Sequence, residues 1–342
     1  MTLAAHIFKA AGLPFYKVGF RNEIEVDVLK RNSLVIASGL FGVLLVGCAG
    51  SGGADVPRPT ELWVANGNNS IISFVPAESA NGDQPPTASI QGGNTDLTEP
   101  TSIAFDSVGR IYVADFSDNS VDVFPAGSSG DVAPTKTLIG AATNINGPEG
   151  IGIDSSRQIY VANRDGDSVT VFGATSAGDS APIRTISGAN TLIDGPQQLV
   201  VMPDGDFYVV NGANDTVTYF APGADGDVAP TRTLNVSLGG FPLGLAVDSA
   251  GKIYVASTTQ IAVYAAGATG AATPLRLISG ANTGLQFVEG IAVDSSGNIY
   301  ASDLTGNCIF VFSPTANGNV AADRTIVGPA TTINQPIKPA IR

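Results

Sequence analysis

The feature that most constrains the fold is a pair of apolar and aromatic residues that returns six times. The pairs are Leu62-Trp63, Ile111-Tyr112, Ile159-Tyr160, Phe207-Tyr208, Ile253-Tyr254 and Ile299-Tyr300, at spacings of 49, 48, 48, 46 and 46 residues. A repeat of this length is one supersecondary unit, which buries its faces only against neighbouring units. The fold must therefore place each of six copies against the next.

Each unit is predicted to form four short strands. In the copy that starts at Gly150, the strands are GIGID, IYVAN, SVTVF and RTISG, separated by polar or Gly/Pro-containing loops. Short runs of β-branched and aromatic residues between such loops are typical of antiparallel strands. The 41 glycines, 21 prolines and only 14% charged residues fit many tight turns. We therefore predict an all-β fold, a six-bladed β-propeller of four-stranded antiparallel blades.

The C-terminal segment supplies the strand that the first blade lacks. The repeats begin at Glu61 with what is the second strand of a blade, whereas residues 335–341 align with first strands such as residues 100–105. Pairing the C-terminal strand into the first blade closes the ring and removes two exposed sheet edges. We assign residues 61–342 to the β-propeller domain.

The repeats resemble those of NHL-type propellers. The resemblance is carried by Gly290-Ile291-Ala292-Val293-Asp294 and Gly297-Asn298-Ile299-Tyr300, and it recurs across residues 61–341. It implies the propeller fold. NHL-like propellers include protein-binding and nucleic-acid-binding modules, lyases and metal-dependent lactonases, so the resemblance does not select an activity.

An apolar, uncharged segment from Ser33 to Gly47 follows Lys30 and Arg31 and precedes Cys48. A basic start before an apolar core of this length indicates an export signal, with an uncleaved anchor helix as the alternative. Leu45-Val46-Gly47-Cys48 resembles the bacterial lipobox, in which the cysteine receives a lipid and the signal is cut before it.

This resemblance divides the N-terminal part of the chain. We assign residues 1–47 to an N-terminal extension and lipoprotein signal peptide, and residues 48–60 to a Gly/Ser/Pro tether. The membrane partner is then reached through lipid on Cys48, in the outer membrane or facing the periplasm of a bacterial cell envelope. Acidic residues ahead of the signal suggest that translation starts nearer Val26 to Leu29.

Net charge limits the partners. The chain carries a formal net charge of −13, and removal of residues 1–47 takes away five basic and three acidic residues, which leaves −15. This charge argues against nucleic acid or an anionic membrane surface as an electrostatic partner, and it favours cationic partners or metal ions. Nothing in the sequence indicates an oligomer, so we expect a monomer.

Histidine is missing from the predicted mature chain, because the one histidine, His6, lies in the segment to be removed. Ser-His-Asp hydrolysis, histidine-ligated zinc and histidine-dependent lyase chemistry are therefore excluded there. An enzymatic role would have to depend on carboxylates, with Glu149 or Glu289 as the candidate base.

Two residues of every blade are expected at the mouth of the central channel. The first position of the inner strand holds Thr101, Glu149, Gln197, Leu243, Glu289 and Ile337. The end of the second strand holds Asn66, Asp115, Asn163, Asn211, Ser257 and Asp303. We take Asn66, Asp115 and Glu289 as channel-rim residues.

Oxygen ligands on rigid strands are those that Ca²⁺ and similar divalent cations prefer. Gluconolactonase-like propellers hold a divalent metal with Glu, Asn and Asp at comparable places, and Glu149, Asn163, Asn211 and Asp303 resemble that set. The alternative is that these Asn and Asp residues cap loops, since both bond their own backbone readily.

Other recurring residues are expected to be structural. Cys308 takes the place of Ser and Thr in other units and reads as a small residue that begins a strand. The Gly-Asp pairs at Gly82, Gly130, Gly178 and Gly226 indicate turns. Basic residues on the outermost strands are expected to discourage edge pairing; these are Lys136, Arg184, Arg232, Arg276 and Arg324.

Two functions stay open from the sequence. The first is a lipid-anchored extracytoplasmic module that binds a protein or glycan, or acts as a scaffold, through the channel rim and the loops around it. The alternative is a divalent-metal-dependent lactonase, hydrolase or lyase with a carboxylate-lined site in the channel mouth.

Overall fold

The computed structural model describes residues 59–342, together with two short strands before them. Strands β1 (Leu34–Ser38) and β2 (Val43–Gly47) pair antiparallel. The predicted lipidation site Cys48, residues 48–58 of the tether and the other residues before Pro59, apart from β1 and β2, lie outside the described part. No helix among the described residues has the length and apolar character needed to cross a bilayer.

Residues 59–342 form six sheets of four antiparallel strands each. Blade 1 contains β26 (Pro336–Ile341), β3 (Leu62–Asn66), β4 (Ser70–Phe74) and β5 (Ala88–Ile90). Blade 2 contains β6 (Pro100–Phe105), β7 (Ile111–Asp115), β8 (Ser120–Phe124) and β9 (Lys136–Leu138). Blade 3 contains β10 (Pro148–Ile153), β11 (Ile159–Asn163), β12 (Ser168–Phe172) and β13 (Arg184–Ser187).

Blade 4 contains β14 (Pro196–Val201), β15 (Phe207–Asn211), β16 (Thr216–Phe220) and β17 (Arg232–Asn235). Blade 5 contains β18 (Pro242–Val247), β19 (Ile253–Ser257), β20 (Gln260–Tyr264) and β21 (Arg276–Ser279). Blade 6 contains β22 (Val288–Val293), β23 (Ile299–Asp303), β24 (Cys308–Phe312) and β25 (Arg324–Ile326). Short 3₁₀ helices lie at Ala77–Ser79, Ala141–Thr143, Ala189–Thr191, Ala281–Thr283 and Pro329–Thr331. The predicted six-bladed propeller is confirmed.

The core lies between blades, which explains the repeating aromatic pair. Tyr112 of blade 2 packs in one buried cluster with Ile151 and Val161 of blade 3. Tyr300 of blade 6 packs likewise with Leu62 of blade 1. Apolar side chains on both faces of every blade are buried only by the adjacent blades, so the hydrophobic driving force acts around the whole ring.

The C-terminal strand closes the ring, as predicted. In β26, Pro339 lies opposite Val64 and Ile341 opposite Leu62, with a register shift between Pro336 and Pro339. Beyond the strand, Glu61 and Arg342 exchange two backbone hydrogen bonds of 2.9 and 3.0 Å. The first and last parts of the propeller domain are therefore neighbours in one sheet.

The Gly-Asp loops join each blade to the one before it. Gly130 of blade 2 forms a parallel bridge with Ile90 of blade 1, and the Asp131 carboxylate accepts a hydrogen bond of 2.8 Å from the Asn94 backbone nitrogen. Gly82 and Asp83 make the same links between blades 1 and 6. The outer edges are thereby covered by the following blade.

The basic residues of the outer strands differ from expectation. Arg184 folds back across its blade, where its Nη2 donates to the Gln158 Oε1 (2.7 Å) and to the Tyr160 hydroxyl (3.0 Å). The guanidinium carbon of Arg232 lies 3.8 Å from the centre of the Tyr219 ring. Because the strand edges are already bridged by loops, these arginines stabilise their blades through hydrogen bonds and cation–π contacts instead.

Candidate functional site

The central channel narrows at the third residue of the inner strands, which directly follows the rim position that holds Glu149 and Glu289. A Cβ atom added at Gly150 would lie 2.9 Å from the Leu199 backbone nitrogen, and one added at Gly290 would lie 2.9 Å from the Lys338 Cα. The inner strands thus approach too closely for side chains at these positions. At the same position of blades 4 and 1, Gln198 and Lys338 carry long side chains that fill the remaining space.

Gln198 and Lys338 cross the channel. The Gln198 Oε1 accepts a 2.9 Å hydrogen bond from the Leu245 backbone nitrogen of blade 5, and its Nε2 lies 3.5 Å from the Ile291 carbonyl of blade 6. The Lys338 Nζ lies 2.6 Å from the Glu149 Oε2 of blade 3. The contacts of Gln198 with Ile291 and of Lys338 with Glu149 tie non-adjacent blades together.

The Lys338–Glu149 ion pair is the buried centre of the channel mouth, by which we mean the upper end of the channel, where the inner strands begin. The Lys338 and Glu149 side chains are 1% and 11% exposed. Glu149 also accepts a 3.2 Å hydrogen bond from Arg164 Nη1, whose side chain is 46% exposed. Both carboxylate oxygens of Glu149 are therefore engaged by cations.

Sequence reasoning placed Glu149 here but missed Lys338. At the rim position of the closing strand Ile337 is apolar, so the repeat pattern predicts no charge there. A usable signal lies at the next residue, where the other inner strands hold Ser, Gly or Gln, so a lysine is exceptional.

Glu289 is the second carboxylate of the channel mouth. Burial raises its pKa; the ammonium of Lys338 opposes that rise, while the nearby Glu149 charge adds to it. The side chain is only partly exposed, and no hydrogen bond to its carboxylate occurs within the described residues. Glu289 is thus a half-buried carboxylate that can still take a partner.

The other first-position residues make the mouth uneven. The Thr101 hydroxyl lies 2.8 Å from the Pro148 carbonyl and links blade 2 to blade 3. On the far side, Leu243 is nearly buried and Ile337 partly so, while Phe241, just before β18, is 65% exposed. Around the ring, Glu289 of blade 6 therefore lies between the apolar residues Leu243 of blade 5 and Ile337 of blade 1, and Glu149 of blade 3 lies opposite it.

The carboxylates that end the second strands hold loops. Asp115 accepts hydrogen bonds from the backbone nitrogens of Thr98 (2.7 Å) and Glu99 (3.0 Å). Asp303 accepts bonds from the backbone nitrogens of Gln286 (2.7 Å), Phe287 (3.0 Å) and Gly306 (2.7 Å). Both side chains are buried, so each acts within its own blade.

The asparagines at the same position act similarly. The Asn163 Oδ1 accepts a 3.2 Å bond from the Asn146 backbone nitrogen, while its Nδ2 donates to the Ser168 and Thr170 hydroxyls at 3.2 and 3.0 Å. Asn211 donates to Thr216 and Thr218 in the same way. The rim residue Asn66 accepts from the Asn334 backbone nitrogen at 2.7 Å.

These contacts bear on the predicted metal ligands. Of Glu149, Asn163, Asn211 and Asp303, the last three are fully buried and bonded to loop groups, whereas Glu149 faces an ammonium at 2.6 Å. In residues 59–342 no three His, Cys, Asp or Glu side chains are grouped closely enough to hold a metal ion. As arranged, these donor oxygens do not fit a metal centre, and the metal set stays a prediction.

A separate cleft of about 1010 Å³ lies between blades 1 and 2, lined by Asn69, Gly93, Asp96 and Asp118 among others. At its base, Asp122 is buried and accepts a 2.7 Å hydrogen bond from the Thr137 hydroxyl. Burial raises the pKa of Asp122 to about 7; the Thr137 bond opposes this, and the Asp115 charge adds to it. Asp122 lies away from the predicted rim positions, so the sequence pattern did not identify it as a candidate.

Cys308 is buried at the start of β24. Burial, with a smaller effect from the Asp303 charge, raises the pKa of its thiol to about 12. The thiolate that acts as a nucleophile is therefore strongly disfavoured, in agreement with the structural role expected from the sequence.

Comparisons with known proteins show the fold alone. No protein-family model and no curated protein matches the chain. Among solved structures, one described as a nidogen/laminin complex shares 17% identity over 82% of this chain and 98% of that chain, with a TM-score of 0.59. A Bacteroides caccae protein of unknown function shares 12% identity over 83% and 99% of the two chains, with a TM-score of 0.58. The WD40 propeller domain of Doa1 shares 14% identity over 80% of each chain, with a TM-score of 0.53. At such identities the likeness establishes a β-propeller.

Proposed function

We propose that the chain is a lipid-anchored, extracytoplasmic, NHL-like propeller that acts as a binding or scaffold module. Its ligand, a protein or glycan, contacts the channel mouth and the upper loops. One observation carries the proposal: Glu289 of blade 6 remains partly exposed and without a hydrogen-bonding partner in the described chain, and the adjacent blade 5 presents the exposed ring of Phe241 at the same end of the propeller. A half-buried charge and an exposed aromatic side chain on adjacent blades favour a contact surface.

The crossed channel supports a surface role over an enclosed reaction site. Gln198 and Lys338 span the axis just below the mouth, so the mouth is shallow. For the alternative, a metal-dependent hydrolase or lyase, the candidate bases are Glu149 and Glu289; Glu149 is bonded to Lys338 and Arg164, which leaves Glu289. The anchor is proposed from the sequence ending at Cys48 alone.

Site-specific photo-crosslinking in the producing cells tests the proposal. A photoreactive phenylalanine replaces Phe241 on the upper face or Val108 on the lower face; the two residues are 65% and 61% exposed and so form a matched pair. We expect a defined adduct from position 241 and none from position 108. In the same cells, Cys48→Ala should remove the protein from the membrane fraction.

Three outcomes would contradict the proposal. No adduct at position 241, or equal adducts at both positions, would refute a ligand-binding upper face. A Cys48→Ala protein that still carries lipid would refute the anchor.

A further inference from the structure

The exposed charges on the loops of the upper face are mostly negative. Among the upper loops of the described chain, Arg164 is the exposed base, whereas the exposed acids are Asp96, Glu99, Asp118, Asp165, Asp167, Asp194 and Asp215. Bases at the lower face and outer strands, such as Arg110, Lys252 and Arg276, do not reach these loops. A field of this sign favours encounter with a cationic partner.

The cations near the mouth are already occupied. Lys338 Nζ bonds Glu149 at 2.6 Å, and Arg164 lies 3.2 Å from Glu149 and 3.8 Å from Asp165. Glu289 has no such partner in the described residues, and burial makes its ionised form costly. A further cation at the mouth would relieve that cost, because it would pair with a carboxylate that the protein leaves open.

Apolar residues flank Glu289 on both sides of the mouth. Leu243 and Ile337 occupy the same inner-strand position as Glu289 in other blades, and Phe241 precedes Leu243 by two residues. Methylene groups laid against these side chains would gain hydrophobic contact, while a charge at their end reached the carboxylate.

We propose that the mouth receives a basic side chain of a protein partner, with its alkyl stem over Leu243 and Ile337 and its cation on Glu289. This inference rests on the proposed binding function and names the partner chemistry. A neutral glycan would use neither the open carboxylate nor the charge of the face.

Binding of a short peptide tests this inference. The full-length protein, purified in detergent, is titrated with acetyl-Gly-Gly-Lys-Gly-Gly-amide and with its norleucine counterpart, which keeps the stem and lacks the charge. We expect saturable binding of the lysine peptide only. In Glu289→Gln the dissociation constant should be roughly tenfold higher, which is the effect of one lost charge-assisted hydrogen bond.

The control variant is Asp194→Asn, which removes one exposed charge of the same face away from the mouth. It should leave affinity within about twofold. Unaltered affinity in Glu289→Gln, equal loss in Asp194→Asn, or equal binding of the norleucine peptide would overturn the inference. An adduct at position 241 without lysine-peptide binding would overturn this inference and leave the proposed function standing; absence of the adduct would refute the proposed function itself.

Discussion

At the scale of single residues, the Lys338–Glu149 ion pair is the contact whose loss should lower the free energy of unfolding most. Moving two charges out of water is costly, and their attraction offsets that cost only when the geometry is close. Here the atoms are 2.6 Å apart and the lysine is 1% exposed. Loss of one partner leaves the other charge buried, so the pair matters more through the penalty of breaking it than through net stabilisation.

Lys338→Met should therefore destabilise the propeller, by about 2–4 kcal/mol. The variant leaves Glu149 and Glu289 facing one another, with Arg164 as the remaining cation. The double variant Lys338→Met/Glu149→Gln should recover at least half of the loss, because position 149 then no longer holds an unpaired buried charge. Urea unfolding of the parent, Lys338→Met, Glu149→Gln and the double variant measures this double-mutant cycle. A single variant as stable as the parent would show that the pair is not a buried ionic contact.

At the scale of strands and blades, blade 2 departs from blades 3 and 4 at one pair of positions. Asn163 and Thr170 in blade 3, like Asn211 and Thr218 in blade 4, form a donor–acceptor pair. Blade 2 has Asp115 and Asp122 instead, two carboxylates in the same buried place. The repeat thus keeps the backbone and changes the chemistry inside one blade.

Asp122 should make stability depend on pH. Its folded-state pKa is about 7 against an ordinary value of 3.8, so the folded state binds the proton more tightly. The stability from this group is fully present below pH 3.8 and is lost as the pH rises towards 7. Asp122→Thr, which copies blades 3 and 4, should be more stable than the parent at pH 8 by about 1–4 kcal/mol, and close to it at pH 4.

Urea unfolding of the parent and of Asp122→Thr at pH 4 and pH 8 measures the difference in their free energies of unfolding. Groups that titrate alike in both proteins cancel in this difference. Thr170→Asp in blade 3 is the matched reverse change and should introduce a loss of stability at pH 8. If the parent and Asp122→Thr differ equally at pH 4 and pH 8, the carboxyl group is not the cause.

At the scale of the whole molecule, the features that depend on the sequence repeat could be predicted from the sequence. Five spacings between six repeats fixed the blade number, and the missing inner strand of blade 1 identified β26 by elimination. The Lys338–Glu149 pair could not be read in this way, because the two residues are 189 positions apart and meet only through the ring geometry. The inward fold of Arg184 was equally hidden, since it depends on the next blade covering the outer edge.

The joint between blades 4 and 5 departs from the repeat. Ala271 stands where the other blades carry an aspartate or, in blade 6, Asn319, and the connection from blade 4 to blade 5, like that from blade 1 to blade 2, contains no 3₁₀ helix. The joint between blades 4 and 5 therefore lacks the side-chain hydrogen bond found at the other joints, and it carries the exposed Phe241. Local departure from the repeat therefore coincides with the proposed contact surface.

Closure by β26 leads to a prediction for the whole ring. A full chain that ends at Gln335 loses the inner strand of blade 1 together with Lys338, which should lower the free energy of unfolding by more than about 3 kcal/mol and expose the edge of β3. A synthetic peptide of residues 335–342 should restore stability in trans, because it supplies both the strand pairing and the charge. The same peptide with Lys338→Met should restore less, since Glu149 then stays unpaired. Thermal unfolding with increasing peptide measures all three. A truncated chain that unfolds like the parent would mean that ring closure does not depend on this strand, and equal rescue by the two peptides would assign closure to backbone pairing alone.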